Sequence, residues 1–129
     1  MLNHITVRVS DLEKSKEFYS HTLKPLGYKL LLSKETSAGY GVEDVEGKRD
    51  FWIKQNDARQ SVHSFYCLAF TAANKQEVDD FYKAGLEVGG KDNGAPGYRT
   101  KYHPGYYAAF VLDPDGHNIE AVYDDPSVR

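Results

Sequence analysis

Apolar and polar positions alternate from His4 to Val9. Ile5, Val7 and Val9 fall on one side and His4, Thr6 and Arg8 on the other, which is the period of a half-buried β-strand. The period then lengthens. Leu12, Phe18, Tyr19 and Leu23 recur near helical spacing after Ser10 or Asp11, either of which can cap a helix, and Pro25 and Gly27 end it. Tyr28 to Leu32 reads as a strand, Gly39 to Val45 as a second, and Glu46-Gly47-Lys48 as a turn. Asp50 to Lys54 is a third strand, with Phe51 and Ile53 opposed to Trp52 and Lys54. Gln55 to Ser61 is polar and reads as a linker.

The order then begins again. Leu68 and Phe70 share one face of a strand over Phe65 to Thr71, and Cys67, Ala69 and Thr71 share the other. Asn74 can cap a helix, with Glu77 placed for a capping box. Val78, Phe81, Tyr82 and Leu86 form its apolar stripe, and Gly89-Gly90 close it. Asp92 to Pro104 is rich in Gly, Pro and polar residues. Tyr106 to Val122 reads as a strand, an Asp113-Pro114-Asp115-Gly116 turn and a second strand. On that second strand Glu120 points away from Ile119 and Ala121. His117 is expected to be exposed beside the turn, and Asp124-Asp125-Pro126 to be a frayed end.

A shift of 63 residues places His4 on Cys67, Ile5 on Leu68, Val7 on Phe70, Asp11 on Asn74, Phe18-Tyr19 on Phe81-Tyr82 and Gly27 on Gly90. With five extra residues in the second half, Phe51-Trp52-Ile53 falls on Ile119-Glu120-Ala121. Each half is therefore a βαβββ module, one at about 1–60 and the other at 63–129, within a single domain. The fold class is α+β. A helix covers one face of each sheet, and the two free faces curl into cupped mixed sheets around a cleft.

Composition narrows the function. The formal charge of −3 leaves no basic footprint for nucleic acid. The apolar runs are too short to span a membrane, and Met1-Leu2-Asn3-His4 has no signal-peptide architecture. Cys67 is the only cysteine, so no internal disulfide forms, which fits a reducing cytoplasm. Aromatic residues make up 13% of the chain and ten of them are Tyr, a side chain suited to lining pockets.

His4, Cys67, Trp52 and Glu120 are equivalent under the repeat, and by alternation all four point into the cleft. His and Glu are competent ligands for a divalent metal, and so is Cys as thiolate; Trp is not. For Cys67 the preferred reading is a small buried hydrophobe rather than a ligand. Trp52 reads as an aromatic wall, and His63 as a residue of the linker.

With these residues in view, the chain resembles the vicinal oxygen chelate superfamily, the group of glyoxalase I, bleomycin-resistance proteins and extradiol dioxygenases. The resemblance covers nearly the whole chain. It rests on His4, on Asp11-Leu12-Glu13-Lys14-Ser15-Lys16-Glu17-Phe18-Tyr19, and on Phe110-Val111-Leu112-Asp113-Pro114-Asp115-Gly116-His117-Asn118-Ile119-Glu120. Tyr102-His103-Pro104-Gly105-Tyr106-Tyr107 is similar to one branch of small glyoxalase-like proteins. The resemblance implies paired βαβββ modules and a metal (Zn, Ni, Mn or Fe(II)) held by His4 and Glu120, with Glu120 as the catalytic carboxylate. The family's second-module His is Cys67 here, and its other Glu is Trp52. Such a protein chelates two neighbouring oxygens of a small substrate as a lyase or dioxygenase. The alternative is a metal-free protein that sequesters a small molecule, as the bleomycin-resistance branch does. A homodimer follows from the family, whose clefts often form between modules of two chains. Arg99, Lys101, Tyr102, His103 and Tyr107 cluster before the hairpin, where an Arg fork and Tyr and His donors suit an anionic or oxygen-rich molecule. The same segment also reads as an ordinary solvated loop.

Overall fold

The computed structural model describes residues 2–43, 48–57, 62 and 67–128. The first module runs β1 (Ile5–Val9), α1 (Leu12–Thr22), a 3-10 turn at Lys24–Leu26, β2 (Tyr28–Ser33), β3 (Ser37–Val42) and β4 (Phe51–Gln55). The second runs β5 (Leu68–Thr71), α2 (Lys75–Glu87), β6 (Lys91–Tyr98), β7 (Tyr106–Leu112), β8 (Asn118–Asp124) and a 3-10 turn at Pro126–Val128. The strands form two four-stranded sheets, ordered β1-β4-β3-β2 and β5-β8-β7-β6. In each, the first and last strands pair in parallel and the others antiparallel. This is the βαβββ order twice over, and among the described residues no strand of one sheet pairs with the other. Among the described residues no helix is long and apolar enough to cross a membrane.

Local chemistry explains the ends of the helices. The Asp11 carboxylate accepts from the Lys14 N–H at 3.1 Å, and Asn74 Oδ1 accepts from the Glu77 N–H at 2.9 Å. Glu77 reaches back to the Ala73 N–H at 2.9 Å, one residue before the cap. Gly27 ends the first module's helical segment at φ +85°, a conformation that costs glycine little.

The helices lie side by side, and each covers the inner face of its own sheet. Val7, Val9, Phe18, Tyr19, Tyr40, Phe51 and Ile53 are buried on the first side; Phe70, Val78, Phe81, Ala109, Val111, Ile119 and Ala121 on the second. The two halves share one core. Phe70 of β5 meets Phe51 and Tyr28 edge to face, with ring centroids 5.3 and 5.2 Å away.

Three expectations change. Part of the Gly- and Pro-rich stretch from Asp92 is a strand, β6, at the edge of its sheet with register shifts between Asp92 and Gly97. Edge position tolerates the proline and glycines that erase the alternation signal. Asp125 is buried rather than frayed: its carboxylate accepts from Tyr98 Oη at 2.7 Å and Ser127 Oγ at 2.6 Å. His117 is fully buried, for reasons given below. The Glu46-Gly47 part of the turn after β3, His63 and Phe65 lie outside the described residues.

Candidate functional site

The hairpin that carries Glu120 is fixed at its tip. The Gly116 N–H donates to the Asp113 carbonyl at 2.9 Å, with Gly116 at φ +82°. Asp113 Oδ1 accepts from the Asp115 and His117 N–H groups at 2.9 and 2.8 Å, and its Oδ2 accepts from the Tyr19 hydroxyl of α1. His117 Nε2 donates to the Arg8 carbonyl at 3.0 Å, and the Ser10 N–H donates to Asp115 Oδ2 at 3.1 Å. The turn is thus a polar joint between the modules, which is why His117 is buried. Burial raises the Asp113 carboxyl above its usual range and holds the Tyr19 phenol well above its own, with the Asp113 charge adding to the latter.

β8 emerges from this joint with its outward side chains on the face that α2 does not cover. Glu120 pairs in register with Phe110 of β7 and Ala69 of β5. It is only 4% exposed, yet both of its oxygens are hydrogen-bonded. Oε1 accepts from the Cys67 thiol at 3.2 Å and Oε2 from the Tyr106 hydroxyl. Burial, and then the neighbouring carboxylate, push Cys67 up to about 12 from an ordinary 9.0. The same causes in the same order hold the Tyr106 phenol above its usual range. At neutral pH Glu120 therefore faces a thiol and a phenol, both protonated and both donating.

Beside the carboxylate the face is cationic and aromatic. The Arg99 guanidinium lies over the Phe110 ring, 5.5 Å from its centroid, and its Nη2 donates to the Ala95 carbonyl at 2.6 Å. Arg99, Lys101, Tyr102 and Phe110, with Asn93 and Asn118, line a cavity of about 250 Å³. Tyr102 and His103 pack on Tyr106, with centroids 4.8 and 5.2 Å away, and His103 Nε2 lies 3.3 Å from Asp124.

The other candidate residues are elsewhere. Tyr107 is on the helix-covered face, where its hydroxyl donates to Asp79 of α2 at 2.7 Å. Trp52 lies on the outer face of the first sheet, packed over Gly39 with the Lys34 ammonium 5.7 Å from its ring. His4 precedes β1, is exposed, and its Nδ1 lies 2.8 Å from Asn3 Oδ1; it makes no contact with Glu120. Of the family's ligand positions, one chain brings together Cys67 and Glu120. Among the described residues no three His, Cys, Asp or Glu side chains gather as a metal site. Glu120 and Cys67 are two ligands, one short of the three that a catalytic divalent ion takes.

Sequence reasoning missed Tyr106, Phe110, Asp113 and His117. Tyr106 carried a usable signal. It shares β7's outward parity with Phe110, the strand partner of Glu120, and only the small Ala108 lies between them on that face. Nothing local announces the Asp113–Tyr19 or His117–Arg8 contacts.

Comparison with known proteins places the chain in a family. Residues 1–121 match the family model for the Glyoxalase/Bleomycin resistance protein/Dioxygenase superfamily. The chain is 32% identical to the uncharacterised protein YqjT of Bacillus subtilis, over 94% of this chain and 97% of that protein. It is 27% identical to the metallothiol transferase FosB of Shouchella clausii, over 92% of this chain and 77% of that one. Among solved structures it is similar to a glyoxalase/bleomycin resistance protein from Albidiferax ferrireducens, with a TM-score of 0.80 and 30% identity, covering 94% and 96% of the two chains.

Proposed function

The chain belongs to the Glyoxalase/Bleomycin resistance protein/Dioxygenase superfamily, and from that premise we propose that it binds a small, oxygen-rich anion on the open face of the second sheet and that Glu120 exchanges a proton with it. One observation carries this reading. A nearly buried carboxylate, held at both oxygens by neutral donors, is paired in register with the Phe110 ring on which Arg99 lies. Arg99 supplies a fork for a carboxylate or phosphonate, and Lys101 supplies a second charge. Tyr102 and Tyr106 give the ligand's body an aromatic wall. A ligand hydroxyl or acidic C–H placed at Glu120 displaces the thiol or the phenol as donor. The freed carboxylate oxygen then serves as proton acceptor. Cys67 stays a thiol in this scheme, so it is a donor and not a nucleophile.

The partner in this reading is a second copy of the chain, laid so that its first sheet's outer face covers the Glu120 face. That places a Trp52 over the ligand. The site's test is calorimetry with phosphonoacetate and glycolate. Saturable binding by the wild type is expected, weakened about tenfold by Arg99→Gln. Equal affinity of the two proteins, or no binding by either, removes the reading.

A metal-dependent activity is the second reading. It is favoured by the 3.2 Å contact between Cys67 and Glu120, two of the family's ligand positions, and by the similarity to a metallothiol transferase. It requires His4 from a second copy. Zinc, nickel, manganese or anaerobic Fe(II) bound by the wild type and lost in both His4→Ala and Glu120→Gln supports it; binding unaffected by His4→Ala excludes that ligand set.

A further inference from the structure

Where the start of β1 meets β5, a cavity of about 390 Å³ opens between the modules, with neither Glu120 nor Arg99 in its lining. Its walls are mostly apolar, formed by Ile5, Leu26, Phe51, Leu68 and Phe70; the exposed side chains of Leu2 and Val42 continue that surface outward, and the exposed His4 and Lys48 also line it. Into this lining comes one carboxylate, Asp50. Its Oδ2 accepts from the Tyr28 hydroxyl at 3.1 Å, while its Oδ1 is shut off from water and has no hydrogen-bond partner. The backbone of Asp50 is pinned: its N–H donates to the Tyr40 carbonyl at 3.1 Å, and its carbonyl accepts from the Ile5 N–H at 2.9 Å. The side chain therefore cannot leave the seam without breaking the sheet. Among the described residues no Lys, Arg or His pairs with it. A neutral phenol is its one hydrogen-bond donor among the described residues, and neither Lys48 nor His4, which share the lining, forms an ion pair with it.

We infer that this seam cavity is a second binding site, for a primary ammonium carried on a short apolar body, such as an alkylamine or arylalkylamine. A turn about the soft Cβ–Cγ torsion brings one Asp50 oxygen to the ammonium while the other keeps the Tyr28 hydroxyl, and the apolar body fills the space between Ile5, Leu68 and Phe70. A carboxylate with an empty acceptor selects a cation over a neutral isostere, because only the cation meets the buried charge. The pseudo-equivalent position in the second module is Asn118, whose Oδ1 accepts from Asn93 at 3.0 Å, so only the first module presents an unmatched charge.

The test is heteronuclear NMR titration of the full chain with phenethylammonium chloride and, separately, with 2-phenylethanol, which has the same shape and no charge. Saturable binding of the amine is expected, with shifts centred on Ile5, Leu68 and Phe70 and an affinity at least tenfold above the alcohol's. Asp50→Asn is expected to level the two ligands, and Arg99→Gln, on the other face, to leave both unchanged. Where Asp50→Asn does not fold, the amine-to-alcohol ratio in the wild type decides, with Lys48→Met expected to raise that ratio by removing the cation already in the lining. No saturation by the amine, equal affinity for the two ligands, or shifts confined to the Glu120 face overturns the inference.

Discussion

Trp52 and Glu120 hold the same position in two copies of one module, and their surroundings have diverged together. Trp52 lies between Thr6 and Gly39 in register, Glu120 between Ala69 and Phe110. A large ring on β4 is matched by a residue with no side chain on β3: a Cβ at Gly39 would lie 2.8 Å from the indole. In the second module the bulk is on β7, as Phe110, and the short polar chain is on β8. The inner faces show no such exchange. Phe51 and Ile53 correspond to Ile119 and Ala121, all buried and apolar. The core constrains one side of each sheet through packing. The outer side is free to carry an aromatic ring in one copy and a hydrogen-bonded carboxylate in the other.

The comparison breaks most severely at the joint between the copies. Asp113→Ala leaves the Tyr19 hydroxyl and two N–H groups without their acceptor, and a loss of about 3 kcal/mol is expected. Urea denaturation measures it, and a loss below about 1 kcal/mol would mean that apolar packing alone joins the modules. Next is the carboxylate. Glu120→Gln removes the charge that helps keep Cys67 protonated, so alkylation of Cys67 by iodoacetamide at pH 8.5 is expected to quicken at least tenfold. An unchanged rate would assign the raised thiol to burial alone. The same group gives a pH signature. Folded Cys67 keeps its proton to about 12 against an ordinary 9.0, so between those values the folded state binds more protons than the unfolded one. Its contribution to stability is fully present below pH 9 and is lost as pH rises toward 12. Cys67→Ser, titrated beside the wild type in urea over this range, is expected to lack that slope. The smallest effect is at Gly39. Gly39→Ala pushes on the far edge of the indole, which can swing, so a cost of about 1 kcal/mol is expected. Trp52 is the only tryptophan, so a red-shifted emission reports the movement directly, and unchanged emission would show that β3 gives way instead.

What the chain discloses before folding is governed by distance along it. The repeat, the Asn74 cap and the outward turn of Glu120 depend on neighbours a few residues away, and each is visible in the local pattern. β6 is hidden because an edge strand with Gly94, Pro96 and Gly97 keeps its pairing without keeping alternation. The Asp113–Tyr19 bond spans 94 residues and the His117–Arg8 bond 109, so a turn that reads as solvent-facing is buried. The candidate residues divided on the same ground. Arg99, Lys101 and Tyr102 share a short segment and line one cavity, whereas Tyr107 sits one residue out of phase and lands on α2. His4 and Glu120, joined by the repeat and by the resemblance, are set apart: His4 precedes β1 of the first sheet and Glu120 lies on β8 of the second.

The Asp113–His117 turn also bears on autonomy. A duplicated unit that folds by itself can in principle be cut out, moved or exchanged. Here the second unit ends its central hairpin in an ionisable carboxylate and an imidazole whose partners, Tyr19 and Arg8, belong to the first. Severed at the midpoint, the later half would present that imidazole and carboxylate to water, and the earlier half would keep a phenol without its acceptor. The two copies have become mutually dependent, so recombination that swaps one of them must carry Arg8, Tyr19, Asp113 and His117 as a matched set.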